Sequence, residues 1–222
     1  MNHPIEHRGN ELYIESIPAA KIAEEFGTPT YVYSRALIEE AFNSYKHMLT
    51  SHRSLICYAV KANPNLAVLD ILVQLGAGFD IVSEGELKRV LTAGGDPGKI
   101  VFSGVGKTPS EMNTALKSNI YCFNVESESE LNTLNEVSKK IGEIAPISIR
   151  INPDVNPTTH PYIATGMRKN KFGVPKDEVI KLYEKASKLK NISVQGIDCH
   201  IGSQLIDIDP LIESMHQLLE IV

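Results

Sequence analysis

The stretch Leu55-Ile-Cys-Tyr-Ala-Val60-Lys61-Ala-Asn-Pro-Asn65 decides how this chain is read. Six residues suited to a buried strand end at a lysine. A short polar turn follows, and then the apolar, helix-like run Leu66 to Leu75. That order puts an amine at the carboxyl end of a strand, where α/β proteins build their active sites. A desolvated lysine there can lose its proton and form a Schiff base with an aldehyde cofactor or a carbonyl substrate. Taken alone, Lys61 reads more readily as a side chain that snorkels from a strand end into water.

The same texture recurs outward from this point. Strand-like runs at Leu55–Val60, Phe79–Val82, Ile100–Phe102, Ile120–Val125, Ile147–Ile151 and Ser193–His200 alternate with segments of helical period. Three helices are expected to open on capping boxes, pairing Ser83 with Glu86, Thr108 with Glu111 and Ser127 with Glu130. Gly76 and Gly94 read as helix stops. Repeated strand–helix units with continuous apolar strands mean a parallel sheet covered by helices. Their regularity, and the lack of a Gly-x-Gly-x-x-Gly after the first strand, favour a (β/α)8 TIM-type barrel over an open doubly wound sheet. Six strands fall short of the eight such a barrel needs, and Leu218 to Val222 shows no stop signal, so a truncated chain is expected. Residues 1–34 have another texture: a strand at Leu12–Ile14, a helix at Ile17–Phe26 and a strand at Thr30–Tyr33. They read as part of a second β domain, with residues 35–222 forming the partial barrel.

Composition narrows the function classes. With 42% hydrophobic and 22% charged residues over 222 positions, the chain is that of an ordinary globular protein. A net charge of −5 without a long basic run argues against nucleic acid as a partner. No secretory h-region and no run of roughly 18 apolar residues is visible, so a membrane is not expected and the cytoplasm is the expected compartment. Cys57, Cys122 and Cys199 each sit in an apolar run, which fits reduced core thiols.

Several positions carry chemistry. Val101-Phe-Ser-Gly-Val-Gly-Lys107-Thr108 invites a phosphate-loop reading, but Val101 stands where that motif needs glycine. His200 ends a β-run before Gly202-Ser203, whose backbone and hydroxyl donors suit a phosphate. The imidazole could serve as a base, a metal ligand or a flat surface for a ring; it could also be structural. Cys199 and His200 point to opposite faces of a strand, so no metal is expected there. Asp80 and Arg150 also sit on strands, either as a structural pair with each other or as a polar shell around a site. Four such side chains on separate strand ends would converge at one mouth of a barrel. The segment from Asn152 to Gly173 is long for a loop and reads as a lid or substrate loop.

Together these segments resemble the fold-type III pyridoxal-phosphate-dependent decarboxylases. The resemblance rests on Tyr58-Ala-Val-Lys-Ala-Asn63, Gly76-Ala-Gly-Phe-Asp-Ile-Val-Ser-Glu-Gly-Glu-Leu87, Phe102-Ser-Gly-Val-Gly-Lys107 and Phe123-Asn-Val-Glu-Ser-Glu128. It continues through Arg150-Ile-Asn-Pro-Asp154, His160-Pro-Tyr-Ile-Ala-Thr-Gly166, Lys171-Phe-Gly173 and His200-Ile-Gly-Ser203. It runs in order from about residue 10 to the end and is nearest to the branch that converts meso-2,6-diaminopimelate to L-lysine and CO2. It implies that Lys61 is the catalytic residue and holds pyridoxal 5'-phosphate, that His200 stacks on its ring, and that Ser203 helps bind its phosphate. Asp80 and Arg150 would form the polar shell. It also implies a homodimer in the complete protein. The family's glycine-rich phosphate loop, Glu-Pro-Gly-Arg segment and Cys-Glu-Ser segment have no counterpart in these 222 residues, so the chain alone is expected to be inactive or nearly so. Competing readings are a sister decarboxylase of ornithine, arginine or carboxynorspermidine, a non-catalytic pyridoxal-phosphate-binding protein, and a fragment that associates with an intact subunit.

Overall fold

The computed structural model describes residues 3–153, 172–203 and 205–221. The chain opens with β1 (Ile5–Arg8), β2 (Glu11–Ile14) and β3 (Ile17–Pro18), a three-stranded antiparallel sheet of order β1-β2-β3. Helix α1 (Ala19–Phe26) follows, beginning two residues later than its periodicity predicts because Ile17 and Pro18 pair with β2. Residues 30–33, expected as a strand, join no sheet among the described residues and have irregular backbone. Glu15 joins this sheet to the next element. Its carboxylate accepts from the Ser34 hydroxyl and the Ala36 amide, at the start of helix α2 (Arg35–Met48).

From there the units repeat: β4 (Cys57–Ala59), a single 3-10 turn over Val60–Ala62, α3 (Leu66–Leu75), β5 (Gly78–Ile81), α4 (Glu84–Thr92), β6 (Ile100–Phe102) and α5 (Pro109–Lys117). They continue through β7 (Cys122–Val125), α6 (Glu128–Ile141), β8 (Ala145–Asn152), β9 (Val174–Pro175), α7 (Lys176–Ala186), β10 (Ile192–Cys199) and α8 (Asp209–Leu219). The second sheet is parallel, of order β10-β8-β7-β6-β5-β4, with the short β9 pairing the end of β8. Among the described residues β4 and β10 are its open edges, so the expected barrel is present as an open arc of strands with helices on one side.

Each strand reads in two registers because successive side chains point to opposite faces. Phe79, Ile81, Ile100, Phe102, Phe123, Val125, Ile147 and Ile149 are all fully buried against Leu69, Leu87, Val90, Met112, Leu131 and Leu134 of the helices. The Phe102 and Phe123 rings stack at 5.9 Å between centroids. The alternate residues, including Ala59, Asp80, Ser103, Asn124, Ser148 and Arg150, face the inside of the arc. They are small or polar, so the concave face leaves a cavity where a filled barrel would carry bulky aliphatic layers.

Four strand-to-helix turns are closed by a side-chain cap. The side chains of Asn65, Ser83, Thr108 and Ser127 accept backbone amides at the starts of α3, α4, α5 and α6. The reciprocal half of the expected capping box forms only at Thr108, where Glu111 accepts from the Thr108 amide. Glu86 and Glu130 reach one residue further back, to the amides of Val82 and Glu126. Gly173 packs its α-carbon against the β8 backbone. At φ +81°, an added Cβ would stand 3.1 Å from the Arg150 carbonyl and the Asn152 amide, so a side chain there would be strained and would push on the β8 backbone.

Candidate functional site

A cavity of about 910 Å³ opens along the concave face, and Lys61, Asp80, Arg150, His200 and Ser203 all border it. The parallel register produces this convergence. Ala59 aligns with Asp80, and Lys61 lies two residues beyond Ala59 on the same side. Arg150 aligns with Asp198, two residues before His200. Lys61 itself lies in the 3-10 turn after β4, not in the strand, and it is exposed at the cavity rim. The desolvated environment expected for its amine is therefore not met here, because the arc is open on that side.

Arg150 is buried and does not pair with Asp80. Its guanidinium donates to Glu126 Oε1 at 3.0 Å, stands 3.9 Å from Asp198 and lies over the Phe172 ring at 5.5 Å. The same Glu126 oxygen accepts from the Gly104 amide, while Glu126 Oε2 is buried without a hydrogen-bond partner. Beside this pair Lys107 is fully enclosed, donating to Glu130 and to the carbonyls of Gly104 and Asn124. The lysine of the failed phosphate-loop pattern thus braces the turn after β6 from within, and does not face a nucleotide.

Asp80 sits lower in the cavity and accepts from Ser103 Oγ at 2.6 Å. Burial pushes its carboxyl up, opposed by the Ser103 hydrogen bond and by the charges of Lys61, Arg150 and Lys107. Asp198 is pushed up to about 6, mainly by burial and against the pull of Arg150. His200 is held below its ordinary value by burial and by the positive charges of Arg150 and Lys61, which keeps the imidazole neutral at pH 7. Cys57, Cys122 and Cys199 are free thiols as expected; Cys122 is buried in the core while Cys57 and Cys199 are half-buried, all three border the cavity, and burial raises each thiol to about 11.

The sequence reading missed Ser103, Asn124, Ser148, Glu126 and Asp198. The signal that finds three of them is the two-residue period: stepping by two along the face that carries Asp80 and Arg150 gives Ser103 on β6's line, Asn124 on β7 and Ser148 on β8. The lid reading of residues 152–173 falls mostly on residues outside those described, as do His160–Gly166 and Lys171.

The donor set suits a phosphorylated aromatic aldehyde. An amine stands at one rim, a neutral imidazole and a hydroxyl at the other, and a buried guanidinium lies between them. A sequence model for the pyridoxal-binding domain of pyridoxal-dependent decarboxylases matches residues 35–222. The chain belongs to this family. It is similar to the diaminopimelate decarboxylase of Pseudomonas aeruginosa, 53% identical over 216 residues, with 97% of this chain and 52% of that protein covered. The Vibrio cholerae diaminopimelate decarboxylase is 55% identical over 212 residues, covering 96% and 51%. Among solved structures, diaminopimelate decarboxylase from Helicobacter pylori complexed with L-lysine superposes with a TM-score of 0.89 at 44% identity, over 91% of this chain and 51% of that one. The arc of β/α units thus corresponds to part of a decarboxylase barrel, and the chain spans about half the length of the curated relatives it matches. Among the described residues no helix is long and apolar enough to cross a membrane.

Proposed function

We propose that the chain is the pyridoxal-phosphate-binding portion of a diaminopimelate decarboxylase, a carboxy-lyase that converts meso-2,6-diaminopimelate to L-lysine and CO2. The observation that carries this reading is the convergence of Lys61, Asp80, Arg150, His200 and Ser203 on one cavity in a member of the decarboxylase family. The kinship to enzymes of that name at 53% and 55% identity favours this substrate over ornithine or arginine.

In this reading the cofactor is held by the Lys61 amine, the His200 ring and the Ser203 hydroxyl, with Asp80 and Arg150 around them. When bound, its ring supplies the electron sink for the carbanion left by departing CO2. The protein's own part is placement and proton control. His200, neutral, offers a flat face without adding charge beside Arg150. Asp80 and Arg150 bring opposite charges to the cavity on either side of its floor, and the charges of Lys61 and Arg150 favour an ionised Asp80 against the burial that raises it. Lys61 Nζ would return a proton to the carbon that loses CO2. Residues 1–34 would belong to a second β domain and residues 35–222 to the barrel, in a protein that acts in the cytoplasm as a homodimer.

The test is to add pyridoxal phosphate to the chain, reduce with borohydride and map the modified peptide by mass spectrometry. A stoichiometric adduct confined to Lys61 is expected. Labelling spread over surface lysines, or absent, overturns the assignment of Lys61 for this chain.

A further inference from the structure

Four neighbouring strands each place one polar side chain on the floor of the cavity, and the four are joined in line. The Ser148 hydroxyl (β8) donates to Asn124 Oδ1 (β7). Asn124 Nδ2 donates at 3.0 Å to Ser103 Oγ, just past β6. The Ser103 hydroxyl donates at 2.6 Å to Asp80 Oδ1 (β5). Asn124 and Ser148 are register partners, and both are buried. Every donor in the chain points the same way, toward the carboxylate.

That common direction has a physical origin. An ionised carboxylate is acceptor-only, so Ser103 must donate to it. Ser103 Oγ is then left to accept, which turns the Nδ2 end of Asn124 toward it. The Oδ1 end of Asn124 in turn faces Ser148, whose hydroxyl must donate. A protonated Asp80 could donate to Ser103 and reverse the whole series, with Asn124 flipped. The amide of Asn124 is the one member whose two ends differ, so its orientation is tied to the charge of Asp80, two strands away.

We propose that Ser148, Asn124 and Ser103 form a directional hydrogen-bond relay that holds Asp80 as an ionised, oriented acceptor beside Lys61, making these three side chains positioning residues for that pair. The relevance to catalysis rests on the function proposed for Lys61; the coupling itself is a property of this chain. Of the other ionisable groups around Asp80, Cys57 and Lys61 come from the β4 side, Lys107 from the turn before α5, Arg150 from β8, and Asp198 and His200 from β10 and its end. Asn124 and the two serines are the uncharged members, so substituting them alters Asp80 without changing any charge in that set.

The experiment is an NMR titration of the 222-residue chain without cofactor, following the Asp80 carboxyl carbon and the Asn124 side-chain amide together. In the unsubstituted chain the Asn124 amide is expected to titrate with the same midpoint as Asp80. Ser103→Ala should raise the Asp80 midpoint by roughly half to one pH unit. Asn124→Leu should raise it by a smaller amount, and Ser103→Thr should restore the original value. An Asn124 amide that stays constant through the Asp80 titration overturns the relay, as does an Asp80 midpoint indifferent to Asn124→Leu. Because the readout needs no cofactor, a missing Lys61 adduct would defeat the proposed function while leaving this result to stand or fall separately.

Discussion

At the scale of single residues, Asp198 shows how a buried charge is tolerated. It stands 3.9 Å from Arg150, yet burial dominates and its carboxyl is raised from 3.8 to about 6. The folded chain therefore holds this proton over a window where the unfolded chain has released it. By linkage, stability falls as pH rises through that window, and the loss is complete above about 6. Asp198→Asn removes the effect. Its stability relative to the unsubstituted chain should improve by at most about 3 kcal/mol between pH 4 and pH 7, read from urea midpoints across that range. Equal pH profiles for the two chains would defeat the account. Asp80 and Arg150 were legible in the sequence because a charge on an apolar strand is conspicuous. Their true partners, Ser103 and Glu126, were not. Both lie one residue past a strand end, and neither serine nor a glutamate near a helix start looks unusual there.

At the scale of elements, the sequence revealed the units better than their edges. The six strand-like runs fall within two residues of β4, β5, β6, β7, β8 and β10, and Leu66–Leu75 coincides with α3, because apolar runs and turn signals agree there. Lys61 was placed at a strand end and lies in a 3-10 turn, a distinction that apolar runs do not carry. The segment at residues 30–33 looked like a strand by composition, but no neighbouring strand offers it a ladder. Thr108 and Glu111 form the one complete capping box among the described residues, and Glu111 also accepts from the Glu84 amide at the start of α4. That carboxylate ties two helix starts together. Its pKa is lowered chiefly by the Thr108 amide, so its stabilising contribution is present above the ordinary carboxylate value and is lost on acidification. Thr108→Ala should destabilise the chain by about 0.5–2 kcal/mol at pH 7, measured as a shift in the urea midpoint. Glu111→Ala should cost more, since it frees amides on both helices.

At the scale of the whole molecule, the arc leaves surfaces that closed barrels do not show. Among the described residues β4 and β10 are unpaired along one side each. Near β10, Ile206, Leu211, Ile212, Met215 and Leu219 are exposed, Ile206 almost entirely. Open edges and contiguous apolar surface favour association. The chain alone should therefore show a sedimentation coefficient that rises with concentration at micromolar levels, and should bind a hydrophobic dye in its native state. A strictly monomeric, dye-silent chain would show that these surfaces are covered in solution. The fold class was legible because strand–helix repetition is a global pattern. The open arc was foreshadowed by the strand count and by the missing stop signal at Leu218 to Val222, since no local signal marks an unpaired edge.

The alternation along the strands has one more consequence. Odd and even positions answer to different demands: one set packs Phe79, Phe102 and Ile149 against helices, and the other sets the chemistry of the floor. Substitutions that keep parity can rewrite the floor while the shell stays intact, which gives one scaffold latitude to accept differently shaped ligands. A single-residue deletion in β5 or β7 exchanges the two sets at once and costs both packing and chemistry, whereas removing two residues keeps each side chain on its own face. Such a scaffold tolerates drift in what it recognises far better than drift in the spacing of its strands.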